Sequence, residues 1–342
     1  MPEEVYHKQF ALSASGIKKL RISTMNFWAA SVMNPLKDED SDETEAKGVG
    51  KAYHKRILEG RDAFYNLYGY EFEAPERDDW ITTGDDLKKA CAEQTLPVTG
   101  TKPILIKRLL DKDPTFKERI YDLVEADYIT SQGSRTLLPK KTIQRLEIAA
   151  SMIERDPQLT NAFRGGYPEV SIFWTDEETG VPCKIRVDYL KPAALVELKS
   201  FGNDIGQPIH KAVARAVASY KYHIAARFYL DGVKAAKKLI AAGKFYPDPK
   251  RSPDSDLTAF LDGLIASQEM TYLFVFQQTG PAPVVRGRIL APGLTMDLGR
   301  VEIDDAKARF KHAAECFGAD PWIDAAPIET FDSCDFPAYI AD

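Results

Sequence analysis

The sequence predicts a mixed α/β fold, a central mixed sheet flanked by helices. Three observations carry that prediction. β-branched and aromatic runs bounded by turn residues gather after Tyr167. Segments with apolar residues at helical spacing lie before and after them. The later strands are separated by long helical stretches instead of forming one continuous meander. With 342 residues, the chain has room for one elaborated domain or two smaller ones.

Taken in order, residues 11–35 open with Ser13 and Ser15 before IKKLRISTMNFWAASVMNP, which predicts a capped amphipathic helix closed at Pro35. The six carboxylates between Asp38 and Glu45 read as a solvated loop. A second helix is expected from about Gly48 to Gly60. Residues 81–111 read as two short helices around the extended turn LPVTGTKP, with Leu87, Leu105, Ile106, Leu109 and Leu110 forming a miniature core. Residues 115–163 continue as helices. VSIFW and PCKIRVDYL then form a hairpin around DEETG, and LVELKSF follows KPAA as a third strand. One long helix is expected over 207–230 and another through Lys244. YLFVFQQ and VVRGRILAP supply two further strands, and a helix covers 302–318. The expected divisions are 1–80, 81–114 and 115–342.

Composition narrows the function classes. Apolar residues at 44% and charged residues at 28% are ordinary for a globular protein. A net charge of −6 rules out a chain that coats nucleic acid through overall positive charge, so any such role needs a local basic surface. Cys91, Cys183, Cys316 and Cys334 are scattered without a C-x-x-C pair, which disfavours a zinc knuckle or iron–sulfur cluster and predicts free thiols. With neither a signal-like N-terminus nor an 18-residue apolar run, the expectation is a soluble cytoplasmic protein without membrane contact.

The chemistry concentrates in VDYL and VELKS. Glu197 and Lys199 are two apart on one strand and share a face, and a regular hairpin brings Asp188 opposite Glu197. Two neighbouring carboxylates raise one another's pKa unless a cation intervenes, and oxygen donors suit a hard ion such as Mg²⁺, with Mn²⁺ as a substitute. The backbone carbonyl of Leu198 offers a further ligand, and Lys199 stands where it can orient an attacking water. Read alone, the same pattern also describes a salt-bridged edge strand. The apolar strands around it and the basic helix after it favour the metal.

The D…E-x-K hairpin followed by a helix resembles the PD-(D/E)xK nuclease superfamily. The stretch EVSIFWTDEETGVPCKIRVDYL…LVELKSF…SYKYHIAARFYLDG is similar to the C-terminal nuclease of exonuclease VIII (RecE-type), as are SASGIKKL and GVGKAYHKRILEG near the N-terminus. The resemblance implies the PD-(D/E)xK nuclease fold. It makes Asp188, Glu197 and Lys199 catalytic, and adds His54 to Asp188, Glu197 and the Leu198 carbonyl as a metal ligand. Glu169 stands near a position where related nucleases sometimes carry an auxiliary acidic residue. One position departs from the pattern: where the family has Y-H-x-Q, this chain has Tyr222, His223 and then Ala225.

Two regions are expected to meet DNA. Residues 205–251 hold ten Lys or Arg against two Asp, a patch suited to phosphate contacts. Lys211, Arg215, Tyr220, Lys221, His223 and Arg227 are its candidates. The 81–114 unit resembles a SAP motif, implying backbone contacts from Lys102, Lys107 and Arg108. Together the resemblances imply a Mg²⁺-dependent exonuclease of a bacterial or phage-infected cell, digesting one strand of linear double-stranded DNA 5′→3′. Its 3′ tail would pass to a single-strand annealing recombinase, and the enzyme would form a homo-oligomeric ring. The alternatives are a non-catalytic DNA-binding scaffold, favoured by Ala225, and a structure-specific endonuclease.

Overall fold

The computed structural model describes residues 1–37, 44–247 and 255–323, together with 330, 332 and 335. Most of the acidic run 38–45, the cations Lys250 and Arg251, Cys334 and most of the acidic C-terminal tail lie outside those residues. The chain divides into two compact units. One comprises Met1–Gly50 with Ser151–Asp342, the other Lys51–Ala150.

The Lys51–Ala150 unit is mainly helical. Its short strands β1 (Tyr68–Tyr70) and β2 (Thr136–Leu138) pair in parallel. Arg56, itself buried, holds Glu147 through three hydrogen bonds of 2.9 to 3.2 Å. Within this unit the helices Gly84–Glu93 and Lys102–Lys112 flank the turn around Gly100. Leu87, Leu105 and Leu109 are fully buried between them, joined by Ala90, Cys91, Phe116 and Ile120, while Ile106 and Leu110 pack at the edge. Thr83 and Asp86 form a reciprocal capping box at the start of the first helix, satisfying amides the helix leaves unpaired. A bridge between Ile81 and Ile120 closes the segment.

The other unit carries a five-stranded mixed sheet. Strands β3 (Tyr167–Thr175), β4 (Pro182–Lys191), β5 (Ala194–Phe201), β6 (Thr271–Gln278) and β7 (Val285–Ile289) lie in sequential order. All neighbours are antiparallel except β5 and β6, which run parallel and are joined through the helices Ile209–Ser219, Tyr222–Ala241 and Ser255–Ala266. The central strands are buried on both faces, β4 most of all, because helices pack on each side. Gly232 lets the helix Tyr222–Ala241 approach: a Cβ there would come within 2.4 Å of the Ile185 side chain.

Several helices differ from expectation. The first segment forms two short helices, Ala14–Leu20 and Thr24–Ala30, each with its own serine cap, Ser13 and Ser23. The helix expected over 207–230 breaks at Tyr220 and Lys221, where Lys221 adopts φ 54° and a new helix starts at Tyr222. The last long helix starts at Leu294, eight residues early, and runs to Phe317. Its Gly299 is a poor helix former, but it packs where a Cβ would meet the His223 carbonyl at 3.1 Å. Cys91 and Cys183 are buried free thiols and Cys316 an exposed one. Among the described residues no helix is long and apolar enough to cross a membrane.

Candidate metal centre

Three adjacent strands bring three carboxylates abreast. The β4–β5 ladder ends at Tyr189 with Val196, so Asp188 and Glu197 face each other one step beyond the last pair. There the strands part, and Asp188 Oδ2 accepts the Leu198 backbone N–H at 2.8 Å in place of a ladder carbonyl. On the other side, Pro168 with Tyr189 and Val170 with Val187 flank Asp188, which puts Glu169 opposite it. Glu169 has φ 56°, rare for a residue inside a strand, and forms no ladder pair. Its carboxylate and that of Asp188 offer oxygens within 4.8 Å of each other.

Burial gives these charges their leverage. Asp188 is 8% exposed and Glu197 3%. Burial pushes the Asp188 carboxyl up to about 6; Glu169 pushes the same way, while Lys199, the Leu198 amide and Arg186 oppose. Burial alone would lower the Lys199 amine, but Glu197 and Asp188 outweigh it and hold the amine above its usual range. Lys199 is therefore an ammonium at neutral pH, 2.6 Å from Glu197 Oε1 and 5.6 Å from the centre of the Tyr222 ring. The helix break at Tyr220–Lys221 puts Tyr222 in that position, and Lys18 braces the break by donating to the Tyr220 carbonyl at 2.6 Å.

Beside the carboxylates lies a cleft of about 540 Å³. Lys18, Lys184, Arg186, Glu197, Lys199 and Tyr222 line it, as do Ser13, Ser15 and Ala225. Burial lowers the Lys18 and Lys184 amines to about 8, with nearby Lys199 adding at Lys18 and Lys37 at Lys184. The Lys184 amine is held by the carbonyls of Tyr6, His7 and Gln9 at 2.6 to 3.4 Å. A cleft with this lining can take a polyanion, and oxygen donors deprived of water suit a hard divalent cation.

The remaining sequence-predicted residues lie as follows. Asp188, Glu197, Leu198 and Lys199 come together. His54 sits half-buried on the helix Glu45–Leu58, in the Lys51–Ala150 unit. Lys211, Arg215, Tyr220 and Lys221 are exposed, with Tyr220 stacked on Tyr222 at 5.5 Å. Two further candidates have other partners. His223 is 9% exposed and turns from the cleft toward Glu302, 3.8 Å away, with burial lowering its pKa. Arg227 is half-buried in an ion pair with Asp231 on its own helix. In the helical unit, Lys102 pairs with Asp122 and Lys107 with Asp111, and Arg108 donates to the carbonyls of Pro97 and Thr99.

Lys18, Lys184 and Arg186 were not singled out from the sequence. For two of them a signal existed: the alternation Lys184, Arg186, Asp188 puts all three on one strand face. Lys18 gave none, since its partner Tyr220 lies 202 residues away.

A family model described as a PDDEXK-like domain of unknown function (DUF3799) matches residues 13–247. Among solved structures, the chain is similar to a crystal structure described as a "Putative exonuclease" from Eubacterium rectale. The identity is 15% over 99% of this chain and 98% of that one, with a TM-score of 0.39. No curated protein matches the chain.

Proposed function

The chain belongs to that PDDEXK-like family, and from this premise we propose that it is a divalent-metal-dependent deoxyribonuclease acting on the ends of double-stranded DNA. The observation that carries the reading is the row Glu169, Asp188, Glu197 beside a half-buried Lys199, opening on a cationic cleft. Buried carboxylates side by side are costly without a cation, and chains retain such an arrangement where it does chemistry.

In this reading Asp188, Glu197 and the Leu198 carbonyl hold Mg²⁺, or Mn²⁺ in its place, with Glu169 auxiliary and His54 added on the strength of the sequence resemblance. Bound there, the ion would polarise the scissile phosphate and lower the pKa of its water. Lys199 stays protonated and stabilises the charge that develops on the phosphate oxygens. Tyr222 keeps that ammonium facing the cleft, while Lys18 contacts the phosphodiester backbone. Lys211, Arg215, Tyr220 and Lys221 extend the DNA track beyond it, and Lys102, Lys107 and Arg108 form a second, weaker contact. The resemblance extends the proposal to 5′→3′ digestion, a 3′ tail for a single-strand annealing recombinase, and a homo-oligomeric ring.

The test is linear duplex labelled at the 5′ or the 3′ end beside a covalently closed circle, each with Mg²⁺ and with EDTA. Early release of 5′ label, an intact circle and complete inhibition by EDTA are expected. Cutting of the circle would instead indicate an endonuclease. A second reading is a DNA-binding scaffold without turnover, and Ala225 favours it, because it lines the cleft where the resembling family has glutamine. DNA retained but uncut under every metal would support that reading.

A further inference from the structure

Arg186 lies on the same face of β4 as Asp188, two residues before it, and has three partners. Its Nε donates to Glu169 Oε2, and its Nη1 donates to Ser171 Oγ at 3.0 Å and to the Met1 carbonyl at 2.9 Å. It also lines the cleft that contains Lys199. The guanidinium therefore sits between a carboxylate of the candidate metal centre and the space where a phosphate would enter.

We propose that Arg186 is a stand-in cation: it holds Glu169 while the cleft is empty, so the substrate-free site takes one divalent ion, and it passes to the substrate phosphate, freeing Glu169 for a second ion. This rests on reading the carboxylate row as a metal centre. The charge balance supports it. Against the three carboxylates, Lys199 and Arg186 leave a net charge of −1, which one divalent ion already reverses, so a second ion finds no negative charge left to hold it. A second ion at Glu169 would meet the guanidinium directly, in a half-buried setting where like charges repel strongly. An arriving phosphate changes both sides of that balance. It supplies negative charge to the cleft, and it offers the planar bidentate partner that a guanidinium favours. Glu169, already within 4.8 Å of Asp188 at a left-handed φ with no ladder pair, is then free of the guanidinium and open to an ion beside Asp188.

The experiment is calorimetric titration of the intact chain with Mn²⁺, without DNA, on four proteins: wild type, Arg186→Gln, Arg186→Lys and the double variant Arg186→Gln/Glu169→Gln. Thermal melting verifies that each is folded. The expected stoichiometry is one ion for wild type and for Arg186→Lys, which keeps the charge. Two are expected for Arg186→Gln, and one again for the double variant. Two ions on the wild type, or a single ion of unchanged affinity on Arg186→Gln, would overturn the role of Arg186. A wild type that binds no ion at all would instead overturn the metal-centre reading on which it rests.

Discussion

Asp86 and Asp188 sit in different units and are held in opposite ways. Asp86 is half-buried at a helix start, where the amides and hydroxyls of Thr82 and Thr83 lower its carboxyl to about 2. Asp188 is buried, accepts the Leu198 amide, lies beside two more carboxylates, and is pushed up to about 6. The same contrast separates their surroundings. In the helical segment around Asp86, the basic residues that sequence reasoning singled out are engaged locally: Lys102 with Asp122, Lys107 with Asp111, Arg108 with two turn carbonyls. Around Asp188, charge is concentrated against desolvation. Local satisfaction stabilises a fold. Charge gathered at a cost marks a place where something must bind.

The largest expected effect lies at the charged sheet. Lys199→Ala should reduce single-turnover cleavage of linear duplex by about 10²–10³-fold, the scale of losing one preorganised charge-stabilising group. DNA affinity, measured by gel shift, should stay within about twofold. Full cleavage by this variant would remove the distinction between the two regions.

Next comes the stability signature of Asp188. Its folded-state pKa is raised, so the folded protein binds this proton more tightly than the unfolded chain does. The contribution is most favourable at low pH and is lost as pH rises from the ordinary carboxylate range through about 6. In EDTA, Asp188→Asn should therefore raise the melting temperature at pH 7.5 by about 2–4 °C, the shift expected of ~1 kcal/mol in a chain of this size. At pH 4 it should change little. Asp86 has the opposite sign: its contribution is present above the unfolded pKa and fades only as pH falls toward about 2.

Smaller effects are expected in the helical segment. Thr83→Ala removes half of the capping box and should cost ~1 kcal/mol locally, seen as roughly fivefold faster hydrogen exchange in the helix Gly84–Glu93. Smallest are Lys102→Ala and Lys107→Ala. If this segment touches duplex DNA, each should lower the slope of log affinity against log salt by about 1 and leave cleavage of bound DNA unchanged. An unchanged slope would confine both lysines to their ion pairs.

How much was legible follows from distance along the chain. Asp188, Glu197 and Lys199 could be found because two-residue alternation and a short turn fix their relation within a dozen residues. The miniature core of Leu87, Leu105 and Leu109 was legible for the same reason. Glu169 was read only as an auxiliary acid by resemblance, since its place depends on a positive φ that the sequence does not announce. The break at Lys221 escaped periodicity because the Ala-rich stretch carries no Gly or Pro there, and the Lys18 contact with the Tyr220 carbonyl is a tertiary one. His223 looked like a DNA contact by its neighbours in sequence, while its surroundings are set by Glu302 on a distant helix.

The central claim is that the carboxylate row around buried Asp188 and Glu197 exists to hold a divalent cation. Its most direct test is calorimetric titration with Mg²⁺ at pH 7.5 and at pH 5, on the wild type and on Asp188→Asn. Binding by the wild type at pH 7.5, weakened at pH 5 where Asp188 takes up a proton, and absent in Asp188→Asn, is the predicted result. Equal binding by Asp188→Asn, or none by the wild type at either pH, would contradict it.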